Sequence, residues 1–147
     1  TPEELAAEVY AACGDPFWIL LAHRNNRFAR QYSLLGADLV CSGHAHGGIV
    51  RLPGTDGLFS HDLDLFPSYT AGLYEENGSV LFVTRGLGNS GPSFRVFNRP
   101  DRVLPQILRP LARVRSRAPG EEEFFHGIRY FLHDKSPFKK YSYMCYH

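Results

Sequence analysis

Ala37-Asp38-Leu39-Val40-Cys41-Ser42-Gly43-His44-Ala45-His46-Gly47-Gly48 is the stretch from which the fold is read. Ala37 to Cys41 has the length and apolar content of a short buried strand, and the glycine-bracketed histidines break out of its C-terminal end. Histidines separated by one residue point to the same side of an extended segment, so His44 and His46 are expected to face one cluster. Neutral imidazole is the commonest protein ligand for zinc and also suits iron. Glycine lets the backbone turn sharply and lets ions and anions approach closely. The pattern points to metal binding.

Upstream, Phe17-Trp18-Ile19-Leu20-Leu21-Ala22 is a continuous apolar run ending at His23. It is short for a helix and reads as a strand buried on both faces. Arg27 to Leu35 is expected to be a helix, with Phe28, Tyr32 and Leu35 on one face and Gly36 closing it. At the start, Thr1 can cap a helix, Pro2 suits its first position, and Glu4 completes a capping box. Leu5, Val9 and Cys13 supply its apolar stripe, and Gly14 ends it. The order is therefore helix, strand, helix, strand. Two strands joined through a helix tend to lie parallel and adjacent, which would bring His23 to the histidine pair. A single histidine at a strand end is more often a hydrogen-bonded structural residue, so His23 acquires its significance from that neighbourhood.

Downstream, Arg51 to Gly57 is turn-rich, and His61, Asp62 and Asp64 read as solvated loop polarity. Tyr69–Tyr74 and Ser79–Thr84 flank Glu75-Glu76-Asn77-Gly78, a hairpin signature. A loop over 86–92 leads to a short strand at Ser93–Phe97. Beyond Asp101 a basic stretch (Arg109, Arg113, Arg115, Arg117) gives way to Glu121-Glu122-Glu123 and an aromatic, patternless end. His126, His133 and His147 are scattered and are not expected to be ligands.

The 147 residues, 44% apolar and 21% charged with a formal charge of +1, are those of one globular domain. That charge gives no general reason to expect nucleic acid or an anionic membrane as partner. Three cysteines without CxxC spacing suggest neither a disulfide framework nor a zinc ribbon. No apolar run has the length of a membrane span, and no signal segment opens the chain, so a cytoplasmic or membrane-peripheral setting is expected.

Gly43-His44-Ala45-His46-Gly47-Gly48 resembles the last signature of the calcineurin-like metallophosphoesterases. Ile19–His23, Gly36–Val40, Gly48–Pro53, Gly72–Tyr74, Thr84–Gly88 and Arg95–Pro100 resemble, in order, the bacterial YkuE-like branch, over roughly residues 1–101. The resemblance implies an α/β fold, the C-terminal half of a four-layer α/β/β/α sandwich, with residues 102–147 an unassigned tail, either extension or disordered. It implies a metal-dependent phosphoester hydrolase with two divalent ions (zinc, manganese or iron) and a bridging hydroxide attacking phosphorus. His23 and His44 would bind one ion and His46 the other. Phosphodiester, phosphomonoester and nucleotide-lipid substrates all stay open.

The family's Asp-x-His, Gly-Asp-x-x-Asp and Gly-Asn-His-Asp/Glu segments, which belong N-terminal to His23, do not occur in these residues. The branch usually has Pro-Asp two residues after the histidine; here Arg24-Asn25-Asn26 follows His23. The expectation is a partial domain, inactive alone, whose isolated sheet would leave edges and an apolar face uncovered. The alternatives are a degenerate non-catalytic homologue or a binding module using the basic C-terminal segment.

Overall fold

The computed structural model describes residues 1–52, 54, 56–59, 64–88 and 94–100, and the backbone of 141–146. Helix α1 (Pro2–Cys13) starts as its sequence requires. The Thr1 side chain accepts from the Glu4 amide while Glu4 reaches back to the first residue, and Gly14 closes the helix at φ 76°. Leu5, Ala6 and Val9 are its buried stripe.

Five strands form one mixed sheet: β1 (Phe17–Arg24), β2 (Leu39–Gly43), β3 (Gly72–Glu76), β4 (Ser79–Val83) and β5 (Tyr141–Tyr146), in the order β3-β4-β2-β1-β5. The centre is parallel, β1 with β2 and β2 with β4, while β3 and β5 flank it antiparallel. The parallel strands explain the unbroken apolar runs, because a strand covered on both faces has no solvent side to make polar. Trp18, Leu20, Ala22, Val40, Leu81 and Val83 pack with α1, Phe28 and Tyr32 in one cluster. The alternate residues Phe17, Ile19, Leu39, Val80 and Phe82 are buried as well. The apolar face expected to be left uncovered is thus covered at these positions. The architecture is α/β in kind, and a single sheet is what the described residues show.

Four expectations need correction. The helix over 27–35 is replaced by two short 3₁₀ segments, Asn25–Arg27 and Tyr32–Leu34. Gln31, at φ −135°, breaks the ladder, so the amide of Gln31 bonds four residues back, that of Ser33 five and that of Leu34 three. Phe28 and Tyr32 still point inward, at 0% and 1% exposure, so the apolar spacing was a true core signal carried by an irregular backbone. The hairpin turn is tighter than expected: Glu75 and Glu76 belong to β3, and Asn77-Gly78 alone turns the chain with both φ positive (52° and 77°). Around Val96 there is an isolated bridge to Val50 rather than a strand. The C-terminal stretch read as patternless contributes β5, which pairs with β1 from Phe17↔Tyr146 to Ala22↔Tyr141. Its tyrosines suit a strand without supplying a polar–apolar alternation.

Cys13 takes part in a disulfide, where the odd cysteine count suggested none. Cys41 is a free thiol, and burial pushes it up to about 12. His61, Asp62, His126, His133 and His147, and the charged segments over 109–123, lie outside the described residues.

Candidate metal centre

His23 stands near the end of β1, and His44 follows the last residue of β2 directly. Parallel neighbouring strands deliver both to the same end of the sheet, where functional groups of open α/β sheets collect. His44 Nδ1 lies 3.0 Å from His23 Nε2, with ring centroids 4.7 Å apart and planes inclined at 64°. Desolvation, with His44 and Arg24 nearby, holds the His23 imidazole below its ordinary value.

The segment carrying His44 and His46 is not extended. His44 has φ 65° and the Ala45 amide bonds the Gly43 carbonyl at 2.8 Å, a γ-turn of the rare hand. His46 (φ 47°) and Gly47 (φ 72°) are then the centre of a β-turn closed by the Gly48 amide on the Ala45 carbonyl at 2.7 Å. Successive left-handed residues abolish the alternation on which the expected shared facing depended. His44 meets His23, whereas His46 Nδ1 lies 3.4 Å from Arg95 Nη2. A guanidinium only donates, so His46 Nδ1 accepts and its ring proton falls on Nε2.

Two imidazole residues at positive φ store strain of about 1–3 kcal/mol each, and the surroundings hold them there. Asn98 Nδ2 donates to the His46 carbonyl at 2.6 Å, and Arg51 Nη1 donates to the Gly47 carbonyl at 3.0 Å. Arg51 is itself fixed by buried Thr70 (3.3 Å) and by Asp56 (3.4 Å). Gly48 packs directly on Gly57: a Cβ on Gly48 would stand 2.4 Å from the Gly57 Cα. Arg95 also binds the carbonyls of Arg85 (3.0 Å) and Gly88, tying that loop to His46. Buried Asn25, where the branch has another residue pair, donates to the carbonyls of Ser68 and Tyr69 at 3.3 and 2.7 Å.

Sequence reasoning did not find Asn25, Arg51, Arg95 or Asn98. Asn25 and Asn98 act through backbone carbonyls more than 40 residues away, which no local pattern records; Arg51 acts four residues back and Arg95 seven and ten. The block Arg95–Asn98 was visible only as part of the family likeness.

Two nitrogens at about 2.0–2.1 Å from one ion lie roughly 2.9 Å apart at a right angle and roughly 3.3 Å apart in a tetrahedron. The 3.0 Å spacing of His23 and His44 therefore fits two ligands of one cation. Among the described residues, no group of three His, Cys, Asp or Glu side chains is placed to hold a metal. The donor set present is a pair of neutral imidazoles, which fits half of the implied centre.

Two known proteins are similar to part of the chain. The chain is 36% identical over 92 residues to an uncharacterized metallophosphoesterase of Aquifex aeolicus, a match spanning 60% of this chain and 32% of the relative. It is 38% identical over 87 residues to an uncharacterized metallophosphoesterase of Campylobacter jejuni, spanning 58% and 21%. Over these residues the chain is similar to part of each of the two metallophosphoesterases. The chain spans about a third of the first relative's length and about a fifth of the second's. No family model matches the chain. No solved structure matches it either. Among the described residues, no helix is long and apolar enough to cross a membrane.

Proposed function

We propose that these residues supply the histidine side of a two-metal phosphoester hydrolase, His23 and His44 serving one cation and His46 the other. The observation that carries the reading is the 3.0 Å approach of His23 and His44 from adjacent parallel strand ends. Divalent ions at such a centre activate water and neutralise charge developing on phosphate. This chain's own residues position ligands: the Gly48–Gly57 contact, Arg51 and Asn98 hold the turn at His46 and Gly47 that directly follows His44. For His46 to ligate through Nε2, its contact with Arg95 must open and its ring proton must move to Nδ1.

Three neutral imidazoles cannot offset the charge of two divalent ions. The 147 residues alone are therefore expected to take up at most one cation and to hydrolyse nothing. Calorimetric titration of the full chain with zinc or cobalt should show at most one ion bound, lost in His44→Ala. Bis(p-nitrophenyl) phosphate should remain intact. Metal uptake that survives His44→Ala would overturn the ligand assignment, and robust metal-dependent turnover would overturn the inactivity.

A further inference from the structure

On its other side, His44 borders an open cleft of about 550 Å³, within the range that takes a small organic ligand. Its lining includes polar Asn25, Asn26 and Arg30 and apolar Leu65, Phe66 and Pro67. Leu65 and Phe66 are 64% and 74% exposed. Single exposed apolar side chains are ordinary. These two are adjacent, line a cleft that reaches a candidate metal ligand, and stand on a backbone held in an unfavourable conformation. Phe66 has φ 51° and Tyr69 φ 58°, a region that bulky side chains avoid. The conformation is imposed from outside. The Phe66 amide bonds the Leu58 carbonyl at 2.9 Å, and Asn25 holds the carbonyls of Ser68 and Tyr69. The Tyr69 ring, also lining the cleft, is set edge-on to Phe28 and Tyr74 at centroid distances of 5.6 and 4.9 Å. Asn25 thus braces the loop at Ser68 and Tyr69, next to the exposed Leu65 and Phe66.

We propose that this cleft is the subsite for the organic part of a phosphoester, an apolar alkyl or aryl group seated against Leu65, Phe66 and Tyr69. The inference rests on the phosphoester reading above. Exposed Arg30, which also lines the cleft, supplies a positive charge that suits an anionic phosphate. Asp64, next to Leu65 in the chain, also lines the cleft.

The test is calorimetry on the zinc-titrated full chain with methylphosphonate, hexylphosphonate and hexanol as probes. A fully buried methylene is worth about fourfold in affinity, so an open cleft is expected to favour hexyl over methyl phosphonate by roughly tenfold or more. Leu65→Ser with Phe66→Asn should cut that preference to about twofold with zinc uptake unchanged; asparagine tolerates the left-handed φ, so the loop is retained. Equal affinities for the two phosphonates, with zinc bound, would overturn the subsite and leave the hydrolase reading standing. A length preference that hexanol shares equally and His44→Ala leaves untouched would separate the cleft from any phosphate, overturning the proposal and counting against the hydrolase reading.

Discussion

Replacing Gly48 with alanine adds one methyl group where two backbones already touch. At φ +72° a Cβ costs about 1–2 kcal/mol on its own. The new carbon would also lie 2.4 Å from the Gly57 Cα and 3.1 Å from its carbonyl carbon, and backbone atoms have no rotamer by which to retreat. Restoring an ordinary carbon–carbon separation of about 3.5 Å requires the loop to move by roughly 1 Å. That movement draws the Gly47 carbonyl away from Arg51 and the His46 carbonyl away from Asn98. With about 1 kcal/mol for each weakened hydrogen bond, the total reaches about 3–4 kcal/mol. Gly54 is the control: its φ is +79° and an added Cβ would meet nothing within 4 Å, so Gly54→Ala should cost only the conformational part. Urea unfolding followed by the emission of Trp18, the single tryptophan and fully buried, measures both. At an m-value of about 1.5 kcal/mol/M, Gly48→Ala should lower the midpoint by roughly 2 M or more, and Gly54→Ala by about half as much or less. Equal midpoints for the two variants would refute the claim that contact with Gly57 shapes the histidine loop.

Other outcomes follow from single contacts. Buried Asp38 accepts the Trp18 amide at 2.9 Å, so Asp38→Ala should cost about 2 kcal/mol in the same unfolding assay, and Asp38→Asn less because an acceptor remains. With the Cys41 thiol pushed up to about 12, only on the order of one molecule in 10⁴ is thiolate at pH 8. Iodoacetamide should therefore leave Cys41 unmodified in the folded chain and label it in urea, as read by peptide mass. In the metal-free chain His23 should titrate below free histidine in an NMR pH series, because burial disfavours its charged form. As pH falls through the ordinary value of 6.5 toward that lowered value, the unfolded chain takes up the proton first and the His23 contribution to stability declines. A midpoint at or above 6.5 would contradict the desolvation.

Features written in short, local terms were legible in the sequence. The Thr1–Glu4 capping box, the apolar runs that became β1, β2 and β4, and the Asn77-Gly78 turn all depend on residues within a few positions of each other. Adjacency of the strand ends carrying His23 and His44 followed from the right expectation about parallel strands, although the expected connecting helix is irregular. The shape of the histidine loop was not legible, since it is set by Gly57, Asn98 and Arg51, and the first two lie well outside any turn that the loop itself forms. Phe28 and Tyr32 show the intermediate case: both are buried, four positions apart as in a helix, although the hydrogen-bond ladder is irregular there. In β5 the difficulty was composition, since tyrosine suits a strand yet marks neither face.

The pairing of β1 with β2 advances by one step near its end: Leu21 lies opposite Cys41, yet Arg24 lies opposite Gly43. Two residues of β1, Ala22 and His23, therefore stand against Ser42 alone. Deleting Ala22 would let the ladder run on evenly and put the imidazole on the side occupied by Trp18 and Leu20, over α1. Such a chain would have the more regular sheet and no paired imidazoles. The pairing of His23 with His44 is consequently encoded in a residue count as well as in residue types. Along this stretch a change of length is the more damaging event, and one that no comparison of side-chain chemistry would register.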